Sequence, residues 1–393
     1  MDAPNNLDET HAGQAADTGE TASAEDEHAM RLSRRRLLVG GLAAAPAIAA
    51  LHEVVPHQGI HAAFGGGHQH PSASAATPGA PEASTDAVVH AHANGTGTGG
   101  ASFREGARVD HRANGFNPTD TLRDFDYGKT TRLPSGRTLR EWQLIASDKE
   151  IEIAPGVKFP AWTYNGRVPG PTLRCTEGDL LRIRFVNGSA HPHTVHFHGL
   201  HPSAMDGVPG AGDGIIDPGK STTYEFNAEP FGLHLYHCHV SPLAEHIARG
   251  MYGTFIVDPK EGRRPEADEM VMVQNGWNTT FDAEGNQFYA VNAIPFHYVN
   301  EPIKVKRDEL VRVYLVNILE YDPINSFHLH ANFFNYFPTG TSLTPIEFTD
   351  TIIQGQAQRG ILEVKFPYEG PFMFHAHKTE FADLGWMGFF EVE

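Results

Sequence analysis

The sequence predicts an all-β protein: two tandem Greek-key β-sandwich domains behind a long, disordered N-terminal segment. Three observations carry this. Glycine (40) and proline (27) are abundant among the 393 residues, which suits turn-rich β structure better than long helices. From about Leu139 onward, short strand patterns alternate with Gly, Pro, Asn and Asp turns, and no long helical period appears. The third is an internal repeat. Residues 178–187, GDLLRIRFVN, return as DELVRVYLVN at 308–317. Eleven residues after the Asn of each copy stands a histidine of an H-x-H element, His198 and His328. Each copy ends in a second H-x-H and a glycine-rich closing strand, GMYGTFIV at 250–257 and GWMGFFEV at 385–392. Two all-β copies of roughly 120 residues fit sandwich domains.

In chain order, residues 1–51 read as an acidic extension and an export signal. Ser33-Arg34-Arg35-Arg36-Leu37-Leu38 precedes an apolar, alanine-rich stretch to about Ala50, similar to a twin-arginine signal. That stretch is shorter than the ~20 residues a bilayer span takes, so cleavage is expected and no stable span after it. The acidic run before the arginines is atypical of such signals, and Met30 is an alternative start. Residues 52–130 are rich in Ala, Gly, Ser, Pro and His and read as a disordered linker. Its histidines, such as His57, His68 and His90, read as solvated low complexity. The first domain is expected over 131–262 and the second over 263–393, divided within the charged stretch Pro259 to Asp268. The expected location is periplasmic, cell-surface or extracellular.

The formal charge of −18 argues against a nucleic-acid partner. Only two cysteines occur, so disulfides do not build the fold. Cys175 lies in an apolar strand pattern and reads as an inert buried residue. Histidine is the outlier at 24 residues, many in H-x-H pairs, and neutral imidazole is the commonest metal ligand.

The first copy carries His193-Thr-Val-His196-Phe-His198-Gly, then His237-Cys238-His239, His246 and Met251. Residues i and i+2 of a strand point the same way. His196 and His198 therefore face one site, as do His237 and His239, while Cys238 points to the other side. One thiolate, two imidazoles and a weak axial thioether make a blue-copper site, and the candidates are Cys238, His193, His246 and Met251. The second copy adds His328-Leu-His330 and His375-Ala-His377, which brings the paired histidines to eight. When the copies are aligned, Asn325, Ala376, Phe381 and Trp386 stand where His193, Cys238, His246 and Met251 do. The second copy thus keeps the pairs and loses the blue-copper set.

On these motifs, residues 139 to 393 resemble the multicopper oxidases, with cupredoxin-like domains, of the two-domain kind with type 1 copper in domain one. The segment Asn165-Gly-Arg-Val-Pro-Gly-Pro-Thr172 resembles that family's opening strands. The resemblance implies four coppers per active unit. It matches His193, Cys238, His246 and Met251 to type 1 copper, His196 and His328 to type 2, and His198, His237, His239, His330, His375 and His377 to the type 3 pair. It implies a laccase-like oxidase in which a small reductant docks near His246, whose edge is expected nearest the surface. Electrons would pass from Cys238 to its neighbours His237 and His239, and O2 would be reduced to water. It also implies a homotrimer with each three-copper cluster between subunits. Asp206 is the candidate acid for proton delivery. His201 and His234 are candidate partners of the ligands. The rivals are a metal-ion oxidase acting on Fe(II), Mn(II) or Cu(I), a copper nitrite reductase, and a copper or electron carrier. The reductase would carry an aspartate where His196 stands and has no use for His239.

Overall fold

The computed structural model describes residues 108–393, and the extension, the signal and most of the expected linker lie outside them. The described part is almost all β, with helices of six residues or fewer. In the first copy, Lys129–Arg132, Thr138–Ala154, Leu180–Asn187 and Ser221–Asn227 form one sheet, with Val157–Tyr164 paired to Thr138–Ala154. The facing sheet runs Phe125–Asp126, Thr172–Thr176, Tyr252–Asp258, Gly232–His237 and His196–Phe197. The second copy repeats the plan. Asp268–Trp277 pairs parallel with Leu310–Asn317, as Thr138–Ala154 does with Leu180–Asn187. Ile303–Val305 pairs parallel with Met387–Val392, as Thr172–Thr176 does with Tyr252–Asp258. Strands end at Asp258 and resume at Asp268.

Alternation builds each sandwich. Leu180–Asn187 turns Leu181, Ile183 and Phe185 inward and Arg182 and Arg184 outward. Three cores result. One fills the first copy around Tyr164, Phe185, Phe197 and Phe255. Another fills the second around Phe327, Phe374, Trp386 and Phe390. The third lies between the copies, where Phe159, Leu233 and Leu235 meet Val271, Trp277 and Phe337. The copies are also tied by ion pairs. Arg174 reaches Asp258 at 2.8 Å and Glu269 at 2.7 Å, and Arg312 reaches Glu269 at 2.8 Å and Glu363 at 2.7 Å.

One expectation is corrected. The linker was expected to run to residue 130, but order begins earlier, with single-turn helices His111–Asn114 and Pro118–Thr121 and the strands Phe125–Asp126 and Lys129–Arg132. Asp110 and Asn117 cap the helices, and Pro118 opens the second. No period is legible in pieces this short; tertiary contacts hold them. The Asn114 side chain bonds both backbone groups of Glu152 in the first copy, at 2.8 and 2.9 Å. Val271 N–H donates to the Leu122 carbonyl in the second. This segment straps the two copies together.

Candidate metal centres

The first centre is built from three places. His193 bridges to Ile216 just before the short strand His196–Phe197. Cys238 follows the strand Gly232–His237, and His246 sits in the helix Leu243–Ala248. The chain then turns back so that Cys238 N–H donates to the Met251 carbonyl at 3.0 Å and Met251 N–H to the His246 carbonyl at 3.3 Å. All four side chains are buried: His193, Cys238 and Met251 are 0% exposed and His246 4%. Cys238 Sγ lies 3.2 Å from His246 Nδ1 and 3.7 Å from His193 Nδ1, and the two Nδ1 atoms are 3.2 Å apart. His193 Nε2 sits 3.0 Å from Ser189 Oγ. With the ring proton on Nε2, the Nδ1 lone pair faces inward. Burial, then mutual repulsion, pushes His193 down to about 3, and burial pushes His246 down to about 4. Both are neutral at pH 7, as a ligand must be. Burial raises the Cys238 thiol, and a soft cation would offset that cost.

In the paired histidines, strand register sets the geometry. His196 pairs with His237 across the strands, and His328 with His375. His198 Nε2 faces His237 Nε2 at 2.9 Å, and His330 Nε2 faces His375 Nε2 at the same distance. The Nδ1 atoms of His237 and His375 face the carbonyls of Cys238 and Ala376 at 2.8 and 2.7 Å, so each carries its proton there and leaves Nε2 bare. Two imidazole nitrogens this close hold either a shared proton or a cation between them, and the donor set fits copper or another imidazole-binding ion. His239 N–H donates to Thr194 Oγ at 2.9 Å and His377 N–H to Ser326 Oγ at 2.8 Å. Within the described chain the sets His196/His198/His237 and His328/His330/His375 are separate clusters. Ring contacts of His239 stay with the first and those of His377 with the second. His330 and His377 are exposed. The second set is thus open to solvent on one side, and the first is partly buried.

The second copy repeats the backbone of the first centre without its donors. Ala376 N–H donates to the Trp386 carbonyl at 3.2 Å and Trp386 N–H to the Phe381 carbonyl at 2.9 Å. Phe381 and Trp386 are fully buried, and Phe381 stacks on Tyr289 at 3.9 Å, so hydrocarbon fills the space that ligands hold in the first copy.

Asp206 lies against a ligand: its carbonyl and its Oδ1 are each 2.9 Å from His196 Nδ1. His201 Nε2 is 2.6 Å from the Phe197 carbonyl and 3.6 Å from Asp206 Oδ1, and His234 Nδ1 is 3.0 Å from the His198 carbonyl. Both brace the strand bearing the ligands. Sequence reasoning missed the equivalent support of His328, whose Nδ1 is 2.8 Å from Thr351 Oγ and 3.0 Å from the Asp350 carbonyl. The repeat could have pointed there, because His196 and His328 are aligned. Cys175 and Cys238 are both free thiols. His246 is the most exposed of the four, at 4%, so its edge lies nearest the surface as expected, but it does not open directly to solvent. Trp162, on the strand Val157–Tyr164, covers it with ring centroids 4.6 Å apart.

Residues 146–262 and 265–393 match two family profiles, each described as multicopper oxidase. A crystal structure of a multicopper oxidase is 66% identical, with a TM-score of 0.71, over 73% of this chain and 100% of that one. A blue copper oxidase from Nitrosomonas europaea is 29% identical with a TM-score of 0.57, over 65% of this chain and 86% of that one. The copper-containing nitrite reductase of Neisseria gonorrhoeae is 32% identical over 266 residues, which are 63% of this chain and 66% of that protein's length.

Proposed function

Given that the chain belongs to the multicopper oxidase family, we propose that it couples one-electron oxidation of small phenolic reductants to the four-electron reduction of O2 to water. The observation that carries this reading is the division of donors. A complete, buried Cys–His–His–Met set lies in the first copy, and two half-sets of paired histidines lie one in each copy. Bound copper would supply one-electron uptake at the first set and O2 reduction at the paired histidines. Cys238, His193, His246 and Met251 would hold the type 1 ion, and their burial keeps water out. His196 and His328 would hold the type 2 ion, and His198, His237, His239, His330, His375 and His377 the type 3 pair. Cys238 is bonded through the chain to His237 and His239, which gives the shortest covalent link between the two kinds of site. Asp206 holds the His196 Nδ1 proton and is placed to pass protons toward the same site. The exposed second half-set supports closure by another copy of the chain, in a cyclic trimer.

The surface over His246 favours organic donors over metal ions. It is aromatic, with Trp162 and the half-exposed Phe281, and the nearby Glu245 carboxylate is paired to Arg249 at 2.9 Å. The Ser33 to Leu38 pattern supports twin-arginine export to the periplasm, the cell surface or beyond.

The likeness to nitrite reductases favours a second reading, nitrite as the electron acceptor. An oxygen electrode with the copper-loaded chain and 2,6-dimethoxyphenol separates the two. Rapid O2 uptake, with no nitrite consumed when both acceptors are offered, is expected. Nitrite consumption without O2 uptake would replace the oxidase by the reductase.

A further inference from the structure

A donor cannot touch His246 directly, since that ring is 4% exposed, and what covers it is specific. The Trp162 indole lies 4.6 Å from the His246 ring and 5.3 Å from the His193 ring, so it contacts both imidazoles of the buried set. Its position is fixed from two sides. Trp162 N–H of the backbone donates to the Arg249 carbonyl at 3.0 Å. The Arg249 guanidinium lies over the indole at 4.6 Å, held by Glu245 at 2.9 Å and by the Pro160 carbonyl at 3.1 Å. Trp162 itself is 8% exposed, and its outer neighbours reach solvent. The exposed His191 ring tilts against it at 4.6 Å. On the other side Phe281 caps Arg249 at 4.8 Å and stacks on Phe159 at 5.5 Å.

Phe281 comes from the second copy, is 51% exposed and takes a left-handed φ of 57°, a conformation costly for an aromatic residue. The copy that lacks a buried donor set therefore supplies part of the roof over the other copy's set. Electron tunnelling weakens steeply across empty space and is favoured by contacting π systems. Of the aromatic paths described from solvent to the set, the closest-packed runs through this indole, 4.6 Å from His246, whereas the exposed His191 ring is 6.4 Å from that of His193.

We propose that Trp162 is the electron-accepting residue of the surface: it couples a planar aromatic donor, seated beside His191, Arg249 and Phe281, to the His246 imidazole. The inference rests on the oxidase reading above and adds the route and the donor's seat. In each event one phenol loses one electron and one proton. The proton would pass to bulk water and the electron, by way of the indole, to a copper ion that Cys238, His193, His246 and Met251 would hold and that would supply the one-electron Cu(II)/Cu(I) change. A phenoxyl radical leaves.

The test uses the copper-loaded full chain and the variants Trp162→Phe, Trp162→Leu and Phe281→Ser. Anaerobic stopped-flow mixing with 2,6-dimethoxyphenol reads the bleaching of the blue absorption. Trp162→Leu is expected to slow bleaching by roughly tenfold or more at an unchanged blue spectrum and reduction potential, and Trp162→Phe to recover most of the rate. Phe281→Ser is expected to raise the phenol concentration needed for half-maximal bleaching. A second readout needs no turnover. Cu(II) loading should quench wild-type tryptophan emission, and the quenched fraction should fall in both Trp162 variants. Wild-type bleaching in Trp162→Leu, or slowing only alongside a shifted potential, would overturn the route. An unchanged half-maximal concentration in Phe281→Ser would overturn the seat. If no phenol bleaches the wild type, the phenol-oxidase reading fails instead. The emission experiment then still decides whether Trp162 couples to the ion, since equal quenching in all chains would end that idea.

Discussion

At the scale of single residues, ligand chemistry is what the sequence displays most openly. Paired imidazoles must recur at i and i+2 to share one face of a strand, so His196/His198 and His237/His239 announce themselves, and Cys238 between two of them is marked by the opposite parity. Cys238→Ser should abolish blue absorption and oxidase activity while the far-ultraviolet dichroism stays that of a β-sandwich. Blue colour surviving in that variant would remove Cys238 from the set. The residues around the ligands were less legible. Asp206 could be suspected from its closeness to His198 in the chain, and it lies 2.9 Å from His196 Nδ1. Thr351 and Trp162 could not. Thr351 stands 23 residues from His328, and Trp162 reaches His246 from a strand more than eighty residues earlier. Contacts of that kind depend on strand order and register, which no local pattern states.

At the scale of elements, alternation and turn chemistry exposed the long strands, and the repeat exposed their pairing. The strap from residue 108 to 126 stayed hidden, because its helices are one turn long and its stability comes from partners such as Glu152 and Val271. The contact between copies was equally hidden, since Leu233 and Val271 read as ordinary strand interiors. On the strand Asp268–Trp277, Glu269 accepts from Arg174, Arg312 and Tyr314. Burial pushes its carboxyl up, but the hydrogen bonds from Arg174 and the others outweigh this and hold it below the ordinary glutamate value. A depressed carboxylate stabilises the fold in full above its unfolded value and loses that contribution as pH falls through its folded one. Stability measured by urea unfolding should therefore hold from neutral pH to about 5 and decline as pH falls below about 4. Glu269→Gln should cost about 2 kcal/mol at pH 7, because it removes the carboxylate that Arg174 and Arg312 share and leaves them only Asp258 and Glu363, and should flatten the acid decline. An unchanged pH slope in Glu269→Gln would show that the ion network does not carry the effect.

At the scale of the whole molecule, two copies of one sandwich have divided the work. The first keeps every donor. The second has exchanged four of them for Asn325, Ala376, Phe381 and Trp386 and keeps its paired histidines at the surface. The two half-sets do not meet within the described chain, and their union is proposed between chains. His198→Ala and His330→Ala should each be inactive. Subunits of the two, mixed under conditions that let chains exchange, should regain up to about a quarter of wild-type activity, the share of neighbouring pairs that bring together two intact half-sets. No recovery after demonstrated exchange would place the cluster within one chain.

In the proposed reaction each O2 takes four electrons. The copper-loaded chain should be given a measured, limiting amount of O2 with excess 2,6-dimethoxyphenol, and the donor consumed and any hydrogen peroxide counted together. Four one-electron donor oxidations per O2 and no accumulated peroxide are expected. Two per O2, with peroxide equal to the O2 consumed, would contradict that reaction.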